Sequence, residues 1–181
     1  MQPIAINPSF DLLHVGLGMT GMRRKDKEMT NVDEIKAILK RVRYVTLAMC
    51  ANNEPYLVSL SHGYDDQENR IYFHCAPEGK KIDILKTNNR VWGQALIDRG
   101  YVQGACDHLY TTVHFMGRVT FVNDVGEKEH ALKTMIRQLD DNPEELIKKQ
   151  LLPQSVQKIS IGRIDIEYMS GKKAEKVIIA Q

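Results

Sequence analysis

RIYFHCAPEGKKIDIL, residues 70–85, changes its hydrophobic period half-way along. Tyr72 and His74 alternate with Phe73 and Cys75, the period of a strand. Pro77 and Gly79 then turn the chain, and Ile82 and Leu85 mark a short helix. Two lysines, Lys80 and Lys81, stand at the start of that helix. A helix N-terminus carries partial positive charge and prefers anions, so cations are out of place there unless something negative joins them. A phosphate would satisfy the free amides, the dipole and both ammonium groups at once, and Gly79 would let the backbone approach it. A solvated helix end with two ordinary surface lysines accounts for the same residues.

Outward from this stretch, the neighbouring segments read as strands. YVTLAMC (44–50) is β-rich, NNE (52–54) is a turn, and PYLVSLSHGY (55–64) is a second strand. Leu57 and Ser59 fall on one of its faces, Val58 and Leu60 on the other. DDQEN (65–69) is a polar hairpin loop before the strand at 70. RVWGQALID (90–98) and LYTTVHFMGRVTFV (109–122) supply a fourth and a fifth strand. Helices are expected from capping-box spacing at Thr30 to Asp33, from Leu132, Met135, Ile136 and Leu139 at helical intervals, and from Asn142-Pro143 as cap and first residue. ISIGRIDIEY (159–168) is the last strand, and a phase slip near Gly162 predicts a β-bulge there. The reading is a mainly β fold with α: a six-stranded antiparallel split barrel with helices packed outside.

Composition narrows the function. At 181 residues the chain supports one domain. A net charge of +2 gives no reason to expect nucleic acid as the partner. Cys50, Cys75 and Cys106 are odd in number and form no CxxC pair, which fits a reducing cytoplasm. No apolar run approaches a membrane span. Residues 1–21 carry one formal charge, Asp11, and read as an N-terminal extension or arm, with the domain proper at 22–181.

The segments MRRKDKEM, PYLVSLSHGYDD, IYFHCAPEGKKIDILK, MGRVTFV and IEYMSGKK together resemble the flavin-binding split-barrel superfamily. Within it the chain is most similar to the pyridoxamine-phosphate-oxidase-related branch that contains the Nim-type nitroimidazole-resistance proteins. The resemblance implies a homodimer with FMN at the subunit interface, FAD being possible if the adenylate finds room near the N-terminal arm. It implies that Val58, Ser59, Leu60 and Ser61 run beside the ring, and that Phe73, His74, Cys75 and Ala76 line the ring and ribityl chain. Lys80 and Lys81 would bind the flavin phosphate. Thr112 stands where the oxidase relatives have a glutamine that touches the flavin. His74 is the implied proton donor in a flavin-dependent oxidoreductase that reduces a small acceptor, for instance a nitro group. A non-catalytic flavin- or haem-binding module is the alternative.

Several features depart from the branch or compete with it. The phosphate turn is Lys-Lys where oxidases have Arg-Lys, and lysine lacks a bidentate fork. His62 replaces a lysine of the oxidases, and the Arg-Leu-His signature is missing from SGKKAEK (170–176), which argues against pyridoxal-phosphate synthesis. Cys106-Asp107-His108 with His114 has ligand types that suit zinc but lacks paired spacing, so no metal is expected. Trp92 is expected in the core.

Overall fold

The computed structural model describes residues 22–175; the N-terminal arm at 1–21 lies outside the described residues, as do 176–181. After a 3-10 turn at Lys25–Lys27 come β1 (Glu28–Met29), α1 (Val32–Arg41), β2 (Tyr44–Ala51), β3 (Glu54–Ser61), β4 (Gly63–Asp65) and β5 (Arg70–Cys75). Then follow α2 (Lys80–Thr87), β6 (Arg90–Val102), β7 (Asp107–Val122), α3 (Val125–Leu139), α4 (Pro143–Gln150), α5 (Pro153–Lys158) and β8 (Ser160–Ala174). All pairings are antiparallel, in the order β3-β2-β6-β7-β8-β5-β4, with β1 beside β8. The six expected strands are present, and two short ones, β1 and β4, join them.

The sheet curls around one core. Val45, Leu47, Ile71, Phe73, Val91, Phe115, Ile164 and Met169 point into it, and Ile35 and Leu39 of α1 plug it. Two rings lie over glycines on the neighbouring strand. Phe73 is registered with Gly162 and Phe115 with Gly93, and a Cβ on either glycine would sit 2.2 Å or 2.0 Å from ring carbon. A bare glycine under a ring lets a curved sheet close on a large side chain. A second, smaller cluster packs α3 and α5 on the outside, with Tyr72, Leu132, Met135, Val156 and Ile161.

The structure corrects the sequence reading in four places. The α1 cap is Asn31, whose side chain accepts from the amides of Asp33 and Glu34, and not Thr30. The run 55–64 is broken at His62, which is fully buried. The bulge is not at Gly162, whose pairing with Phe73 and Phe121 is unbroken. Ile161 and Ile164 sit on opposite faces of a strand buried on both sides, which produced the apparent slip. The extra residue is Glu167, where Met116 pairs with Tyr168 but Gly117 pairs with Ile166, and it ion-pairs with Arg118 at 2.8 Å. Trp92, finally, is 38% exposed on the outer face of the sheet, edge-on to Tyr168.

Candidate functional site

The barrel has an open seam. Among the described residues β3 ends the sheet and pairs only with β2. β4 pairs with β5 only as far as Tyr72, so among the described residues the same edge of Phe73, His74 and Cys75 has no strand beside it. β3 approaches β5, and each has a backbone edge without a strand partner among the described residues, which makes two lips. α2 closes one end of the seam. Its N-terminus spans both lips: the Lys80 ammonium stands 5.1 Å from the Tyr56 ring centroid on β3, and that of Lys81 stands 5.6 Å from the Phe73 ring on β5. Gly79 caps α2 with φ 128°, a conformation costly for other residues, and no described side chain accepts from the first amides. A Cβ at Gly79 would meet no described atom within 4 Å, so the turn itself is uncovered.

Along the lips the side chains divide by face. Val58 and Leu60 turn inward against the core, so only their backbone faces the seam. Ser59 and Ser61 point outward and are exposed, with the Ser59 hydroxyl 2.9 Å from that of Thr46. Phe73 is buried in the core. Cys75 is half-buried on the same face; burial pushes its thiol pKa up, and the nearby Lys81 charge opposes the shift. His74 is exposed on the opposite face of β5, away from Phe73 and Lys81. Ala76 lies at the foot of α2, in a cleft shared with Ile82, Lys86 and Phe121. Thr112 is not at the seam. It sits on β7, three strands from β3, buried, donating to the Ala95 carbonyl at 3.0 Å and accepting from Gln94.

The pyridoxamine 5'-phosphate oxidase family model matches residues 31–173, which includes both lips, α2 and β8. The chain belongs to the pyridoxamine 5'-phosphate oxidase family. No curated protein matches it significantly. Among solved structures it is similar to a candidate 5-nitroimidazole antibiotic resistance protein from Bacteroides thetaiotaomicron, at 23% identity and TM-score 0.69, over 81% of this chain and 86% of that one. It is also similar to a flavocytochrome from Azotobacter vinelandii, at 15% identity and TM-score 0.73, over 88% and 75% of the two chains. A third is an FAD-binding protein from Mesorhizobium loti, at 25% identity and TM-score 0.58, over 82% and 98%. These likenesses establish the split barrel.

Two features of this family member were not legible beforehand. Tyr56 shares its inward phase with Val58 and Leu60, which places it at the same lip, but its contact with Lys80 depends on where α2 lands. His62 is the second. It is fully buried, with Nε2 3.0 Å from the Leu39 carbonyl and 3.1 Å from Gln138, and its Nδ1 has no partner among the described residues. Burial drives its pKa down to about 4, against the opposing pull of the Leu39 carbonyl, so the ring is neutral at pH 7. Among the described residues no three metal-ligating side chains converge, and His108 bonds Asp98 at 2.7 Å instead. No described helix is long and apolar enough to cross a membrane.

Proposed function

We propose that this chain binds a flavin along the β3–β5 seam and acts as a flavin-dependent oxidoreductase on a small acceptor, nitro compounds being the first class to test. The observation that carries the reading is the N-terminus of α2 with Lys80 and Lys81 reaching opposite lips of an unpaired seam. The residues fit the group. Two cations, free helix amides and an unobstructed glycine suit a phosphate. The strand edge at 58–61 offers backbone donors and acceptors, which suit the polar edge of a flat ring. When bound, the flavin supplies the electron transfer, and the protein supplies orientation and electrostatics.

Each residue then has a limited task. Lys80, Lys81 and the α2 amides hold the phosphate. Backbone amides of Val58 to Ser61 and of Phe73 to Ala76 orient the ring and shield it from water on one side. His74, exposed on the outer face, donates a proton to the acceptor. A homodimer completes the site: the outer face of a second copy covers the seam.

The test is an absorbance spectrum of the purified protein beside the double variant Lys80→Ala/Lys81→Ala. The wild type is expected to carry flavin, and the double variant to lose it while keeping its fold, because Lys80 is exposed and the half-buried Lys81 forgoes only a cation–π contact of about 0.5–1 kcal/mol. Unchanged flavin occupancy in the variant would remove the phosphate from α2. A haem band in place of flavin would turn the reading to a haem-binding module.

A further inference from the structure

A cleft of about 290 Å³ begins where the phosphate site ends. It lies between the flank of α2, from Lys80 through Asp83 to Thr87, and the β2–β3 hairpin, from Ala51 to Tyr56. Lys80 lines it and Lys81 does not, so one lysine belongs to both sites. The hairpin wall is fixed in shape, since Asn52 and Asn53 hold φ of 52° and 63° and close a two-residue turn, and Asn88 at the end of α2 donates to the Cys50 carbonyl at 2.8 Å. Its chemistry is mixed in a particular way. Tyr56 offers a flat ring beside a cation. Glu54 and Asp83 offer carboxylates that have no ion-pair partner among the described residues.

We propose that this cleft receives the adenylate half of FAD, making FAD and not FMN the flavin this protein retains. The inference rests on the flavin reading above and goes further, because FMN ends at its phosphate and would leave the cleft unused. When Lys80 swings to the phosphates it frees the face of Tyr56, and an adenine can stack there. Ribose hydroxyls and the exocyclic amino group are donors, and Glu54 and Asp83 are the acceptors they need. Acidic residues repel phosphate, so the second phosphate of FAD stays with Lys80 at the mouth of the cleft and the nucleoside alone lies beside the carboxylates.

Calorimetric titration of flavin-free protein with FAD and with FMN tests this. FAD is expected to bind at least about ten-fold more tightly than FMN, in line with stacking of one base on an aromatic ring. Tyr56→Ala should abolish that advantage, lowering FAD affinity at least about five-fold more than FMN affinity, and Tyr56→Phe should keep it. FMN binding doubles as the control for folding. Equal affinities in the wild type, or equal losses for both flavins in Tyr56→Ala, would overturn the adenylate assignment and leave the flavin reading standing. Failure to bind either flavin would end both.

Discussion

His62 shows how one side chain can set a pH limit. Its neighbours accept it only as a neutral ring, with a folded pKa of about 4 against about 6.5 in an unfolded chain. Between those values the unfolded chain binds the extra proton, so stability is full above pH 6.5 and falls as pH drops toward 4, by roughly 3 kcal/mol in all. His114, whose pKa is lowered by burial and by Lys172, adds to the same slope. Urea midpoints of the wild type are therefore expected to fall from pH 7 to pH 4.5, and those of His62→Asn to fall less. Parallel curves would show that His62 does not carry the effect. Gly162 makes a different demand. An alanine methyl there would press on Phe73, whose ring is locked in the core, so Gly162→Ala should cost about 1–3 kcal/mol, read as a lower Tm.

At the scale of elements, α3 lies directly on β4. A Cβ at Gly63 would be 2.6 Å from the Met135 amide nitrogen, which is backbone and cannot swing away. Gly63→Ala must push α3 outward, breaking the Tyr64 amide's bond to Gln138 and straining Arg163's ion pair with Glu127, at 2.8 Å each. The expected loss is about 3 kcal/mol, roughly 6–12 °C in Tm, and an unchanged melt would mean that the helix adjusts freely. The same contact marks the limit of what the sequence could disclose. Strands with one wet face, such as β3 with Ser59 and Ser61 outward, were legible from alternation. So were helices with a periodic stripe, such as α1 and α3. β8 misled because α3 buries its second face, which erases the polar half of the pattern. α5 gave no signal, since Val156 is its one buried side chain. The lysines of α2 could be seen as odd from sequence, but which lip each reaches, and the outward turn of His74, depend on packing between segments far apart in the chain.

At the scale of the whole molecule, the outer face of the sheet is unusually apolar for a surface. Tyr44, Leu57, Trp92 and Leu96 are all exposed there, Leu57 at 65%. The proposed homodimer accounts for them, and Leu57→Arg is expected to give monomers in sedimentation, with loss of flavin because a completed site needs both copies. A monomeric variant that still holds flavin would separate the cofactor from the assembly. The unpaired edge of β3 has a consequence of its own. An edge with no strand partner among the described residues, beside an exposed leucine, is a template onto which other chains can add strands. Ligand and second subunit would therefore act as guards against aggregation, and protein made in flavin-starved cells should collect in inclusion bodies while the same sequence made with ample riboflavin stays in the supernatant.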